Sequence, residues 1–218
     1  MPLTSSPTEL TTAWTDAVLA IVCLILLIRL VKLPAREPFK VRVWTWVFGF
    51  LGLASVLGAV AHGLEWTPFW KNALWAPLYL SLGLVVALFL VGAVSDWKGV
   101  AAGRALLPWA LGVAFVFFGV TRLIDRFIVF VAYEAVVMLA SLAIYIVLWR
   151  TQRHAWAGIV AAGIMLNVVA AAVQASPLRL ELVVPFDHNG LFHLFQIVAV
   201  IVTARGLRQG LTRGDHAG

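Results

Sequence analysis

Apolar residues gather along the chain into seven long runs, at roughly 12–32, 42–64, 73–95, 104–121, 127–149, 156–176 and 187–207. Each run is close to the about 20 residues that an α-helix needs to cross the hydrocarbon of a bilayer. Between them lie the breakers and charges that membrane helices avoid: Pro34 to Arg42, Glu65 to Asn72, Asp96 to Gly103, Arg122 to Arg126, Arg150 to His154, and Pro177 to Phe186. Pro108 and Gly112 interrupt the fourth run and Arg104 opens it, which neighbouring helices can accommodate by satisfying the freed carbonyl. The pattern predicts an all-α polytopic membrane protein, a single domain of seven transmembrane helices over residues 1–218, with no internal repeat.

Composition agrees with this. Of the 218 residues, 62% are hydrophobic and only 12% charged, which excludes an ordinary soluble domain with about a quarter of its residues charged. The net charge of +6 does not indicate nucleic acid, because the basic residues are spread over the connections rather than gathered into a patch. They report orientation instead. One side of the predicted bundle holds Arg29, Lys32, Arg36, Lys40, Arg42, Lys98, Arg104, Arg150, Arg153, Arg205, Arg208 and Arg213, and the other only Lys71, Arg122, Arg126 and Arg179. The excess belongs in the cytoplasm, so the N-terminus is expected outside and the C-terminus inside, in a multi-pass protein of a bacterial inner (plasma) membrane. The first span reads as a retained helix, because it lacks a basic leader and ends in RLVKLPAR instead of a small-residue cleavage site. The one cysteine, Cys23, excludes an intramolecular disulfide and a cysteine-based zinc site.

Polar side chains inside spans are costly, so their depth is informative. Counted from the expected outer end of each span at about 1.5 Å per residue, Asp16, Ser55, Tyr79, Glu134, Asn167, His193 and Gln196 lie about 6–13 Å deep and His62 about 3 Å. In the inner half Arg29 is the ionisable residue, and it can snorkel to the surface. The polar level predicts a cavity opening outward. Ser55, Asn167 and Gln196 fit interhelical hydrogen bonding equally well, and Asp16 also fits a helix start beside Trp14. Glu134 has no basic residue at helical spacing in its own span, so it needs a partner elsewhere or a proton.

Three of the five histidines share the outer level: His62 in AVAHGLEW, and His188 and His193 in PFDHNGLFHLFQIV. Histidine with carboxylate is a donor set suited to zinc. His62 and Glu65 share a face if the helix continues that far. His188 and His193 are five apart, about 140° on a regular helix, unless His188 precedes the helix with Asp187 or Asn189 near its N-cap.

This layout, with a histidine and a serine on helix two and a histidine pair opening helix seven, resembles the alkaline ceramidase and progestin/adipoQ receptor superfamily. It also resembles an uncharacterised group of bacterial seven-helix proteins, from which no function carries over. The superfamily resemblance implies a membrane-embedded zinc hydrolase acting on a lipid amide or ester, with zinc on His62, His188 and His193. Glu65 or Asp16 would accept a proton from the attacking water, and Glu134 would orient the headgroup or deliver a proton. The sequence departs from the superfamily pattern at three points: Ser55 is seven residues before His62 instead of four, the helix-seven pair is five apart instead of four, and no aspartate opens helix three. The competing class is a heptahelical sensor or binding protein that uses the same outer polar pocket for a ligand without chemistry. A retinal protein is excluded, because helix seven contains no lysine, and a haem protein using His62 and His193 would need matching inner ligands. Membrane lipid is the expected partner; oligomeric state stays open.

Overall fold

A computed structural model describes residues 1–34, 37–124, 127–151, 154–181 and 183–213. Arg36, Arg126, Arg153 and His216, which enter the charge balance or the histidine tally above, lie outside them. The elements are α1 (Pro7–Val31), α2 (Pro38–Gly63), α3 (Pro68–Lys98), α4 (Val100–Ile124), α5 (Phe127–Arg150), α6 (Ala157–Gln174), the short strands β1 (Leu180–Glu181) and β2 (Pro185–Phe186), and α7 (His188–Arg213). All seven helices are long and apolar enough to cross a membrane.

Local chemistry explains the helix starts. Pro7, Pro38 and Pro68 each occupy the first turn, where a missing N–H costs nothing. Ser6 Oγ caps α1 by accepting the Glu9 N–H at 3.4 Å. Gly99, with φ of +87°, is the single residue between α3 and α4; a left-handed backbone there is strained for any residue with a Cβ. The helices consequently run further than the hydropathy windows suggest. Residues 38–42, 96–98 and 100–103, expected in connections, are helical, and α4 continues through Pro108 and Gly112.

Six helices form a closed circuit, α1 against α2, α2 against α3, α3 against α5, α5 against α6, α6 against α7, and α7 back onto α1. Helix α4 stands outside this circuit, packed chiefly on α3. Its Trp109, Val116 and Leu123 are exposed, as suits a lipid-facing helix. Small residues bring α6 and α7 together: a Cβ on Gly163 would collide with Thr203, and one on Gly206 with Val160. Gly163 thus serves close packing inside the bundle. Its partner is α7 of the same chain.

One end of the circuit is filled. Trp44, Tyr145, Leu148, Val160 and Leu207 are almost fully buried there, with the Trp44 ring seated against Gly92 and edge-on to Phe89 at 5.0 Å. Within this packing lies a polar cluster whose charged members, Glu37, Lys40 and Asp96, the sequence reading placed in loops. Lys40 Nζ is 2.7 Å from Glu37 Oε2 and 3.3 Å from Asp96 Oδ1, and the Tyr145 hydroxyl donates to Asp96 Oδ2 at 2.8 Å. Lys40 and Asp96 are both buried, so Arg29 is not the sole ionisable group in that half of the bundle.

Candidate functional site: an amphipathic cavity

The other end of the circuit encloses a cavity of about 460 Å³. It takes its lining from all six circuit helices and none from α4. The stripe on α2 shows how it is built: Phe48, Leu51, Ser55, Gly58 and His62 follow one another at three- and four-residue steps along one face. The stripe is apolar at one end and polar at the other. Helix α7 repeats the gradient in the opposite chain direction, from Asn189, His193 and Gln196 to Ala199 and Val200, with Thr203 one turn further on. Helix α5 contributes Glu134 with Phe130 and Met138 one turn to either side.

The polar mouth is organised as pairs that bridge helices. His193 on α7 is buried. Its Nδ1 lies 3.1 Å from Thr15 Oγ1 and its Nε2 3.4 Å from Asp16 Oδ1, both on α1. The Thr15 hydroxyl also donates to the Thr12 carbonyl at 2.9 Å. A hydroxyl has one proton, so where Thr15 gives its own to the Thr12 carbonyl, the hydrogen of the His193–Thr15 contact comes from Nδ1–H. Asp16 lies nine residues into α1, about 13 Å by helical rise, and is buried; it is not a helix start. Its carboxylate fits because position 58 is glycine: a Cβ there would sit 2.5 Å from Asp16 Oδ2.

A second pair closes the mouth between α1 and α2, where His62 Nδ1 is 2.6 Å from Glu9 Oε2. The His62 ring also meets Trp75 of α3 edge-on at 5.5 Å. Glu9 is not among the residues singled out from the sequence. The signal was present, because Glu9 and Asp16 are seven residues apart and share a helix face. Glu134 accepts a hydrogen bond from Asn167 Nδ2 of α6 at 3.4 Å, and Gln174 Nε2 donates to Asn189 Oδ1 at 3.3 Å.

The loop before α7 is positioned from α1. Thr11 Oγ1 donates to the Pro185 carbonyl at 2.9 Å, and Thr12 Oγ1 to Asp187 Oδ1 at 3.1 Å. Asp187 Oδ1 also accepts the N–H groups of Asn189 and Gly190 at 3.0 and 2.9 Å, the N-cap geometry expected for this aspartate. Helix α7 opens at His188, so His188 and His193 are both helical and diverge by about 140°.

Of the residues singled out from sequence, Asp16, Ser55, Glu134, His62, His188 and His193 all line the cavity, and Glu65 does not. Helix α2 stops at Gly63 and Leu64 is extended, so Glu65 has no helical register with His62. Its Oε1 instead accepts the Ser5 N–H at 3.3 Å, as the N-terminal segment crosses the end of α2 through the Leu3–Leu64 bridge. The zinc donor set does not assemble as arranged. Among the described residues no three His, Cys, Asp or Glu side chains converge as metal ligands. His193 has both ring nitrogens engaged, and His62 Nδ1 is held by Glu9.

Fold and site together define a seven-helix protein of membrane-spanning dimensions with an amphipathic cavity inside the bundle. The chain belongs to DUF6962, described as a family of unknown function, whose match covers residues 11–212. No curated protein and no solved structure matches it, so the resemblance to the ceramidase and progestin/adipoQ receptor superfamily rests on layout.

Proposed function

We propose that this protein spans a bacterial inner (plasma) membrane with its cavity end outside, and that it binds an amphiphile whose head carries amine or hydroxyl donors. The observation that carries this is the lining of the cavity. Three carboxylates, Glu9, Asp16 and Glu134, face the polar mouth against a single lysine, Lys71, while the interior is walled by Leu51, Val86, Phe89 and Val200. Carboxylates in a low-dielectric site favour a cationic or hydrogen-bond-donating partner, and the apolar interior favours an alkyl chain. A volume of about 460 Å³ falls in the range of small-molecule sites.

The test uses purified protein in lipid nanodiscs and three probes sharing a twelve-carbon tail: a primary amine, a maltoside and a sulfate. We expect the amine to bind about tenfold more tightly than the sulfate, a difference of about 1.4 kcal/mol, and the preference to vanish in Asp16→Asn/Glu134→Gln. Equal affinity for all three heads would overturn the reading.

A second reading, a zinc-dependent lipid amide or ester hydrolase, is favoured by one observation: His62, His188, His193, Asp16 and Ser55 line one cavity. It requires His193 to release Thr15 or Asp16 to free a lone pair for metal. Metal analysis of the wild type beside His62→Ala and His193→Ala separates the two. About one zinc per chain, lost in both variants, favours the hydrolase; none after incubation with zinc favours the binding protein.

A further inference from the structure

A second, separate cleft opens at the opposite end of the bundle, between α1 and α7. Its volume is about 430 Å³, and its lining is Leu26, Arg29 and Leu30 from α1 with Ile201, Ala204, Arg205, Arg208, Gln209 and Thr212 from α7. Each helix presents one stripe to it. On α1, residues 26, 29 and 30 are three and four apart; on α7, residues 201, 204, 205 and 208 follow the same spacing. On α7 the apolar Ile201 and Ala204 lie towards the middle of the helix and the arginines towards its terminus; on α1 Leu26 precedes Arg29 and Leu30 follows it.

The lining contains no acidic residue. Among the described residues, no carboxylate pairs with Arg29, Arg205 or Arg208. Four other basic residues at this end do have partners within the chain. Lys40 is held by Glu37 and Asp96, and Arg42 Nε donates to the Pro38 carbonyl at 3.3 Å. Lys98 lies over the Trp97 ring at 4.4 Å and Arg104 over Phe39 at 5.4 Å. Three guanidinium groups sharing one cleft repel one another until an anion joins them, and their planar forks suit phosphate oxygens.

We infer that this cleft is a binding site for the head group of an anionic phospholipid, with Arg29, Arg205 and Arg208 on the phosphate and the upper acyl chain against Leu26, Leu30, Ile201 and Ala204. The ligand chemistry is a phosphate ester. The apolar wall beside the arginines selects a lipid over free phosphate, and a basic pocket between helices at a membrane surface is a recognised form of such sites. The inference rests on the membrane-spanning reading, and is independent of what occupies the other cavity.

The experiment is native mass spectrometry of the full chain, after delipidation and re-addition of phosphatidylglycerol and phosphatidylcholine in equal amounts. The wild type is expected to retain phosphatidylglycerol about tenfold over phosphatidylcholine. The triple variant Arg29→Gln/Arg205→Gln/Arg208→Gln is expected to lose the preference. The charge-preserving triple lysine variant, which separates loss of charge from loss of fold, should keep most of it. Should the glutamine variant not fold, the single changes Arg205→Gln and Arg208→Gln should each lower the preference several-fold. Unchanged preference in the folded glutamine variants would overturn the site. Displacement of the lipid by millimolar inorganic phosphate would overturn the lipid assignment, and no preference in the wild type would overturn both.

Discussion

The bundle contains two polar clusters made of the same materials, carboxylate, nitrogen base and hydroxyl, and they are built to opposite ends. At the packed end, Lys40 pairs with Glu37 and Asp96, and Tyr145 donates to Asp96, which ties α2, α3 and α5 together. At the cavity end, the pairs Asp16–His193, Glu9–His62 and Glu134–Asn167 each bridge two helices yet keep a side on open space. A closed cluster holds helices in register. An open one keeps polar capacity in reserve for something that enters. The contrast teaches that depth along an apolar helix does not by itself identify a site: whether the polar groups use up one another's capacity does.

The strongest way to break this contrast is to open the closed cluster. Asp96→Leu takes the Asp96 carboxylate away from the buried Lys40 ammonium and leaves Glu37 at 2.7 Å, and removing one member of a buried pair costs about 3–5 kcal/mol. We expect a loss near the lower figure of about 3 kcal/mol, because Glu37 still pairs, read as a fall in the thermal midpoint of detergent-purified protein. The double variant Lys40→Met/Asp96→Leu should recover most of it, since the pair together is replaced by apolar volume. If the double change is as harmful as the single one, the cluster is not a stabilising closed network.

How much of this was legible in the sequence differs between the two clusters for a physical reason. Hydropathy marks the seven helices because each must bury an uninterrupted apolar length, and the windows found all seven. The same measure penalises any charge, whether or not it is neutralised by a neighbour. Lys40 and Asp96 were therefore read as loop residues, though they stand on helices and pair 56 positions apart in sequence. At the cavity end the level of Asp16, His62, Glu134 and His193 was legible from depth alone. Their partners were not, because Glu9 reaches His62 through the packing of α1 on α2, and His193 finds Thr15 across the closure of the circuit. Glu65 shows the converse: helical spacing from His62 was a sound premise until α2 ended at Gly63.

A smaller intervention sharpens the comparison at Gly58. A methyl group there meets the Asp16 carboxylate at 2.5 Å, so Gly58→Ala must push Asp16 away from its place beside His193. Overpacking of this kind costs about 1–3 kcal/mol. We expect about 1 kcal/mol here, because the neighbouring cavity gives the carboxylate room to move. Affinity for the twelve-carbon amine should fall about tenfold. Titration of the variant in nanodiscs checks this. An affinity equal to wild type would remove Asp16 from the head-group site.

The smallest effect on stability, and the most telling, is expected at Glu134. Its partner is the Asn167 amide at 3.4 Å, a longer contact than any in the closed cluster. A carboxyl group kept at an apolar wall with one weak partner is a cost to the fold, and sites retained for function are where such costs persist. Glu134→Leu removes the group and fills space beside Phe130 and Met138. We expect stability to stay within about 0.5 kcal/mol of wild type or to rise, while affinity for the amine probe falls. The orphaned Asn167 amide works against the gain, so Glu134→Leu/Asn167→Leu should be the more stable of the two variants. A thermal midpoint lowered as far as by Asp96→Leu would mean that Glu134 holds the helices together as Asp96 does, and that the distinction between a closed cluster and an open site fails at the residue where it was drawn most sharply.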